Sequence, residues 1–232
     1  MYYFALLHGK QRELSDDEAG REMAAYHDFH ALAAAAIREG DALGSAAEAV
    51  QIAGGPDAPV ITDGPYAEGA EIAGGYYVFE AENLDDALQL ARQVPAAQYG
   101  SVEVWPMVFW NPVGRPTTDS DWLALLLEPA DGVNVPGSPD FEQGLAQHGE
   151  FGAAAGSHIL GGAPLHPPST ATTVRVRDGR VVLTDGPYAE GAEVANGYYI
   201  LAAADRDEAT KIASMIPASV VHLRRLAGVS GL

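Results

Sequence analysis

A single internal repeat limits the possible folds of this chain more than any other feature of its sequence. Residues 62–95 read TDGPYAEGAEIAGGYYVFEAENLDDALQLARQVP, and residues 184–217 read TDGPYAEGAEVANGYYILAAADRDEATKIASMIP. The two stretches align without a gap at an offset of 122 residues, and 19 of their 34 positions are identical. Such a repeat predicts two copies of one small domain. We therefore predict a first repeat over residues 1–110, a linker over 111–120 and a second repeat over 121–232.

The charge of the chain narrows the range of its partners. With 13 basic and 32 acidic residues, its formal net charge is −19 at pH 7, and this charge repels both nucleic-acid phosphates and anionic lipid surfaces. We therefore expect neither nucleic acid nor a membrane as a partner. The chain contains no cysteine, so disulfides and thiolate nucleophiles are excluded.

The N-terminal stretch bears on the compartment. The sequence MYYFALLHGKQRELSDDE has only seven apolar residues before His8, with no basic leader and no cleavage site. It therefore lacks the features of a signal peptide, and no apolar run in the chain approaches the length that spans a bilayer. We expect a cytoplasmic protein that is either a monomer, with its repeats forming a pseudo-dimer, or a homodimer.

The first half reads as a succession of strands and helices. Residues 2–7 are apolar and aromatic-rich, as in a buried strand, while Ser15 followed by acidic residues 16–18 is typical of a helix N-terminus. Residues 41–52 are alanine-rich and lie between glycine stops, and we assign them to a strand. The predicted elements are a strand over 2–7, a helix over 15–39, strands over 41–52 and 74–79, a helix over 84–93 and a strand over 101–109. This order is the ferredoxin-like βαββαβ arrangement, in which both helices cover one face of an antiparallel sheet.

The second half repeats this order with two expected differences. We predict a shorter helix over 139–156 and a hairpin over 172–183, with its turn at Asp178-Gly179, that the first half lacks. A four-stranded sheet of this kind leaves one apolar face open, and two such sheets in one chain can cover each other. The predicted fold class is therefore α+β, with two ferredoxin-like repeats packed sheet to sheet as an intramolecular dimeric α/β barrel.

The repeated motif carries a family resemblance. Its residues are Asp63, Gly64, Pro65, Tyr66, Ala67, Glu68, Glu71, Gly75 and Tyr76, then Val102, Glu103, Val104 and Pro106, with the second copy at Asp185, Gly186, Pro187, Tyr188, Ala189, Glu190, Glu193, Gly197 and Tyr198. This pattern resembles the YCII-related family, and within it the DGPF-domain branch, over nearly all of both halves. Both copies depart from the branch pattern, with tyrosine where phenylalanine is usual and glycine at 69 and 191 where Thr-Lys is usual. The resemblance implies the dimeric α/β-barrel superfamily.

The resemblance implies a function only in outline. It implies a His-Asp pair, with the histidine near the start of the first helix and the aspartate after the second strand, and one branch is similar to dehydrochlorinases of aromatic degradation. Many DGPF proteins resemble partners encoded beside extracytoplasmic-function sigma factors. By position, the resemblance implies His27 or His30 with Asp63 in the first half, and His148 with Asp185 in the second.

A carboxylate beside an imidazole suits proton transfer near neutral pH, because it fixes the tautomer and raises the basicity of the ring. We therefore predict His27, Asp63, His148 and Asp185 as catalytic residues. In the alternative interpretation, each aspartate caps its own turn and each histidine is simply solvated on its helix.

Metal and cofactor sites have little support in the sequence. His27 and His30 are three residues apart on a predicted helix and could chelate a metal with a nearby carboxylate. An HExxH motif is absent, and so are the glycine-rich motifs of nucleotide-binding loops. We predict no metal and no cofactor.

Tyrosines in and after the repeated motif are candidates for ligand binding. Strand alternation places one tyrosine of each Tyr-Tyr pair inside the barrel, and a phenol in a pocket often orients an aromatic or enolic ligand. Packing of the hydrophobic core is the alternative role. The predicted substrate-binding residues are Tyr66, Tyr76, Tyr77, Tyr188, Tyr198, Tyr199, His30 and His158.

Two classes of function remain open at the level of sequence. The first is an enzyme that uses cofactor-free His/Asp acid–base chemistry, as an isomerase, lyase or dehydrohalogenase, on an aromatic or polyketide-like molecule held between the two halves. The second is a non-catalytic module that binds a ligand or a protein such as a transcription regulator. A cavity lined by tyrosine, histidine and aspartate would favour the enzyme, and a filled centre would favour the module.

Overall fold

The structure is a computed structural model that describes residues 1–10, 12, 14–64, 71–187 and 193–229. The described residues form the following helices: α1 (Asp16–Ala33), α2 (Leu84–Ala91), α3 (Ala96–Tyr99), α4 (Pro139–Ala155) and α5 (Arg206–Ala213). The strands are β1 (Tyr2–Gly9), β2 (Ile37–Ala42), β3 (Val50–Ala53), β4 (Val60–Asp63), β5 (Ile72–Glu80), β6 (Ser101–Pro106), β7 (Asp121–Pro129), β8 (Ile159–Pro164), β9 (Thr172–Arg177), β10 (Arg180–Asp185), β11 (Glu193–Ala202) and β12 (Val220–Arg225).

The strands form two six-stranded antiparallel sheets. The first has the order β10-β9-β6-β1-β5-β2, and the second has the order β4-β3-β12-β7-β11-β8. Each sheet therefore contains four strands of one half and a hairpin from the other half: β3 pairs with β12, and β9 pairs with β6. The two halves are joined by this reciprocal exchange of hairpins as well as by the packing of their sheets.

The first half was predicted to lack a hairpin, and this prediction was wrong. Strands β3 and β4 form one, in register from the Val50–Asp63 pair to the Ala53–Val60 pair. The predicted strand over 41–52 is in fact the end of β2, a short 3₁₀ turn and the start of β3. The sequence pattern of this alanine-rich stretch did not indicate where one strand ends and the next begins, because alanine has little preference for a strand.

Helix α1 ends earlier than its pattern predicted. Residues 37–42 pair with β5 instead of extending the helix to 39, so tertiary pairing overrides local helix propensity. Gly40 is required in this strand, because a Cβ atom there would overlap the ring of Tyr77. The first helix of the second half was predicted to be shorter than α1, and it is shorter by one residue, since α4 has 17 residues and α1 has 18.

Three apolar layers hold the molecule together, and they confirm the predicted α+β barrel. The middle layer lies between the sheets and includes Phe4, Tyr76 and Tyr198, whose rings pack with centroids 4.5 Å (Phe4–Tyr198) and 5.9 Å (Tyr76–Tyr198) apart. The outer layers lie between each sheet and its helices and include Tyr77 in the first sheet and Leu201 in the second. The sheets thus cover each other's apolar faces, as the sequence predicted.

The segment predicted as a linker is tied to the first half by polar contacts. Thr117 is buried and donates to Asp41 Oδ2 at 2.5 Å, and the Val113 N–H donates to Glu39 Oε2 at 3.2 Å. Tyr76 donates to the other oxygen of Glu39 at 3.1 Å. Burial raises the pKa of Glu39, although these hydrogen bonds oppose the rise.

This environment predicts that Glu39→Gln will lose less stability than the wild type as the pH rises towards neutral. Because the folded-state pKa is raised, the wild type loses stability as pH rises from the unfolded pKa through the folded one. The glutamine cannot ionise, so between pH 4 and pH 7 we expect it to gain on the order of 1 kcal/mol relative to the wild type, on top of a pH-independent cost, because its amide nitrogen cannot accept one of the two hydrogen bonds that the carboxylate accepts. Urea unfolding of both proteins at several pH values measures the difference. A gain that is the same at all pH values would contradict the explanation.

Among the helices that the structure describes, none is long and apolar enough to cross a membrane.

Candidate functional site

A cavity of about 560 Å³ lies in the first half, and we call it the outer cavity. Its wall is formed mainly by the end of β1, α1 with the residues before it, β2 with the residues that follow it, the start of β5, and α3, and the second half adds Arg224 of β12 and Val229. The polar side chains in this wall include Tyr26, His30, Asp41, Tyr77 and Tyr99. Its volume is in the range of small-molecule binding sites.

A histidine and a tyrosine are paired in the wall of the outer cavity. His30 Nε2, near the end of α1, lies 2.7 Å from Tyr77 Oη on β5. The ring of Phe29 packs edge-on against the ring of Tyr77, and the centroids of the two rings are 5.4 Å apart. Burial raises the pKa of Tyr77 well above its ordinary value, and Tyr26 and Asp41 act in the same direction. The phenol is therefore protonated at neutral pH, and its hydrogen bond with His30 provides a path for a proton.

A second polar network lies in the same wall. Tyr99 donates to Glu22 Oε1 at 2.5 Å and lies 3.1 Å from the hydroxyl of Tyr26. Arg12 covers the Tyr99 ring, 4.0 Å from its centroid, and bonds to Glu22 at 2.8 Å. Burial is the main cause that raises the pKa of both tyrosines. This network gives one side of the cavity fixed hydroxyl groups.

A cavity of about 350 Å³ lies between the two sheets, and we call it the inner cavity. It contains a histidine beside a carboxylate: His8 Nε2 lies 3.5 Å from Glu103 Oε2. Glu103 is buried and also accepts from Trp105 Nε1 at 3.2 Å. His8 lines both cavities.

The structure does not form the His-Asp pairs that the family resemblance implied. His27 is exposed on α1, and Asp63, with its side chain 73% exposed, forms an ion pair with Arg206 of α5. Among the described residues, no hydrogen bond or ion pair joins His27 or His148 to Asp63 or Asp185. The physical reason is the hairpin exchange, because β4 and β10 carry the two aspartates to the exposed outer edges of the sheets. A catalytic role for these four residues stays a prediction.

The second half contains its own histidine–tyrosine pair. His148 Nδ1 of α4 lies 3.0 Å from the hydroxyl of Tyr199, the repeat counterpart of Tyr77. The offset of 122 residues maps His148 onto Tyr26 and not onto His30. The histidine of the second pair therefore lies one helical turn earlier in α4 than His30 does in α1. Burial lowers the pKa of His148 and raises the pKa of Tyr199 to about 12. Both partners are therefore neutral at pH 7.

The predicted substrate-binding residues divide between different environments. Tyr76 and Tyr198 fill the centre between the sheets, where burial raises their pKa values well above normal. His158 follows α4, and its Nδ1 lies 3.0 Å from the carbonyl oxygen of Ala202, the last residue of β11, which fixes the chain after the helix. Tyr66 and Tyr188 lie outside the described residues.

No group of three or more histidine, aspartate and glutamate side chains that could hold a metal ion is found in residues 1–64, 71–187 and 193–229, apart from the undescribed positions 11 and 13. His27 and His30, whose spacing could suit a metal, also lie in different surroundings. His30 contacts Tyr77, whereas His27 faces solvent.

Sequence reasoning missed His8 and Glu103. A signal for Glu103 was present, because strand alternation in Val102-Glu103-Val104 puts the glutamate on the opposite face from two buried valines. In a barrel that covers both faces of the sheet, that opposite face is also interior. The predicted first strand ended at residue 7, but β1 continues through His8 to Gly9.

These features define the class of protein: a tandem dimeric α/β barrel in a single chain, with a cavity of small-molecule size in its first half. Within that class, the chain belongs to the YCII-related domain family, whose model matches residues 1–111 and 129–220. Neither the fold nor this family description specifies a reaction.

Two individual proteins are also similar to this chain. Uncharacterized protein R00369 of Rhizobium meliloti (strain 1021) is 37% identical over 60 residues, which cover 25% of this chain and 48% of that protein. The alignment thus spans about half the length of that relative. A solved structure provisionally designated chlorite dismutase TA0507 matches 97% of this chain and 94% of its own, with 9% identity and a TM-score of 0.46.

Proposed function

We propose that this protein is a cofactor-independent enzyme that moves a proton on a small enolisable aromatic or polyketide-like molecule bound in the outer cavity. Isomerisation, elimination and dehydrohalogenation all begin with such a step. The observation that carries the proposal is the hydrogen bond between His30 and Tyr77, 2.7 Å long, in the wall of a cavity of about 560 Å³. A paired acid and base in a cavity of this size is the usual arrangement of a proton-transfer site.

The pair can remove and return a proton without creating a phenolate. When Tyr77 donates to His30 Nε2, the phenol oxygen can accept a proton from an acidic C–H of the substrate while its own proton passes to the imidazole. His30 then carries the positive charge, which the nearby Asp41 carboxylate stabilises; that carboxylate is close enough to raise the pKa of Tyr77. The reverse transfer to a different carbon completes an isomerisation, and loss of a leaving group completes an elimination.

The surroundings of the pair support this role. The phenol is largely buried, and a buried polar environment strengthens the electrostatic interactions that stabilise a developing charge. The hydroxyls of Tyr26 and Tyr99 in the same wall are suited to hold the oxygen atoms of an aromatic ligand.

The test is hydrogen–deuterium exchange in D₂O, followed by proton NMR on a panel of enolisable aryl ketones and hydroxylated aromatic acids. For a compound whose C–H signal the wild type removes, we expect Tyr77→Phe and His30→Gln each to slow exchange at least 100-fold, in the usual range for a lost general acid or base. Equal exchange rates in wild type and both variants would overturn the assignment.

Matched controls separate chemistry from stability. Tyr3→Phe removes a buried phenol from the same apolar layer without touching the cavity wall, and His166→Gln removes a half-buried histidine of the second half. We expect both controls to keep the wild-type exchange rate.

A non-catalytic binding module is the alternative, and the part of the space between the sheets that the rings of Phe4, Tyr76 and Tyr198 fill, beside the inner cavity, favours it. In that case, compounds would bind in the outer cavity and no member of the panel would exchange.

A further inference from the structure

The outer and inner cavities adjoin each other. Five residues line both of them: His8, Leu43, Ile72, Ala73 and Arg224. The dividing wall is thus one layer of side chains, formed by the end of β1, the start of β5, the turn after β2 and one residue of β12. A ligand too long for one cavity would have to displace only these side chains to reach the other.

The inner cavity is bounded by leucines. Leu6 of β1 and Leu123, Leu125 and Leu127 of β7 line it, together with Val194 and Ala195 of β11. The stacked rings of Phe4 and Tyr198 fill the space further along the same strands. Leucine side chains around a space of about 350 Å³ lack the dispersion contacts that the packed centre has, and an alkyl group would supply them.

Several polar groups of the inner cavity have partners, and the carboxylate-bearing Glu193 also lines it. His8 Nε2 lies 3.5 Å from Glu103, Glu71 lies 3.4 Å from Arg175, which is outside this wall, and Arg224 donates to the carbonyl oxygen of Ala73 at 3.0 Å. Burial lowers the pKa of His222 to about 4, with a further contribution from Arg224, so this imidazole is uncharged at neutral pH. The carboxylates of the wall disfavour an anion and its leucines favour an apolar group, so an uncharged alkyl group suits it best.

We propose that the two cavities form one binding site for an alkyl-substituted phenol or enol, with its ring and hydroxyl in the outer cavity and its alkyl arm in the inner cavity. This inference rests on the proposed function for the position of the hydroxyl beside Tyr77 and His30, and it specifies the class of substrate.

The length of such a ligand follows from the strand register. Tyr77 pairs with Ala5, and His8 lies three residues further along β1, a distance of ~10 Å at the usual rise of a strand. A phenol ring and about three carbon atoms cover this distance, so longer alkyl arms extend past His8 into the inner cavity.

The test measures the affinity of 4-alkylphenols, from ethyl to octyl, by isothermal titration calorimetry at one pH and salt concentration. Once the arm passes His8, we expect the affinity to rise about fourfold for each added methylene, until the inner cavity is filled and the affinity levels off. Affinity that does not depend on chain length, or no binding of any compound, would overturn the inference.

Two variants change the volume of the inner cavity in opposite directions: Ala195→Phe reduces it and Leu127→Ala enlarges it. Ala195 and Leu127 are cross-strand neighbours and both line this cavity. We expect Ala195→Phe to weaken binding of 4-octylphenol at least tenfold and to leave 4-ethylphenol unchanged, whereas Leu127→Ala should move the levelling-off to longer arms. Because Leu127 is only half-buried, its variant keeps the test possible if Ala195→Phe fails to fold. Equal losses for short and long arms in Ala195→Phe would contradict the proposal.

The same series distinguishes this inference from the proposed function. In Tyr77→Phe, a retained chain-length dependence without proton exchange supports the joined cavities whatever the reaction. A wild type that exchanges protons but shows no chain-length dependence overturns the joined cavities and leaves the proposed function standing.

Discussion

Gly100→Ala is expected to destabilise the protein by about 3 kcal/mol, at the upper end of the usual cost of overpacking. Gly100 lies immediately before β6, against β1, and a Cβ atom there would overlap the backbone carbonyl oxygen of His8. Backbone atoms of a paired strand cannot move aside as a flexible side chain can, so the two strands must separate locally. Urea unfolding followed by circular dichroism measures the loss.

The matched control is Gly20→Ala. Gly20 lies within the exposed part of α1, and nothing lies within 4 Å of the position its Cβ would occupy. Alanine should stabilise the helix there by about 0.5–1 kcal/mol, because it has less backbone entropy to lose. A similar small effect of both substitutions would show that the β1–β6 contact is not as close as described.

Acid is expected to destabilise the wild type relative to His222→Gln by about 3 kcal/mol between pH 6.5 and pH 4. Burial and Arg224 lower the pKa of His222 to about 4, against about 6.5 in an unfolded chain. The neutral imidazole is thus favoured in the folded state. Its stabilising effect is fully present above pH 6.5 and is lost as pH falls through the folded pKa. Glutamine does not titrate, so the variant lacks this loss.

The comparison of the two proteins isolates His222 from the other titrating groups. His148 also has a lowered pKa, and His8, Glu71, Glu103 and Glu193 line the same cavity as His222, but all of them are present in both proteins. The measurement is the difference in unfolding free energy at pH 7, 6, 5 and 4. A difference that stays constant across this range would refute the lowered pKa.

Much of the fold could be predicted because the repeat and the apolar patterns are local in the sequence. The aromatic strand at Tyr76-Tyr77, the cap at Ser15 and the helix after Asn83 all appear where the pattern placed them. Strand alternation also predicted that one tyrosine of each pair would face the other sheet, as Tyr76 and Tyr198 do.

The candidate site was predicted only in part. His30 and Tyr77 were among the predicted ligand-binding residues, and both line the outer cavity. Their direct contact joins residues 47 positions apart, which no local pattern encodes. The resemblance pointed instead to Asp63 and Asp185, whose position depends on which strand each hairpin pairs with.

By itself, the sequence determined that one unit occurs twice, that each copy has an apolar sheet face, and that the two faces must cover each other, because period and hydrophobicity are properties of neighbouring residues. Only the tertiary structure decided that each copy gives its hairpin to the other's sheet and that His8 and Glu103 meet in the interior. Strand edges pair through backbone groups that are the same in every residue, so the choice of partner depends on the packing of the whole chain.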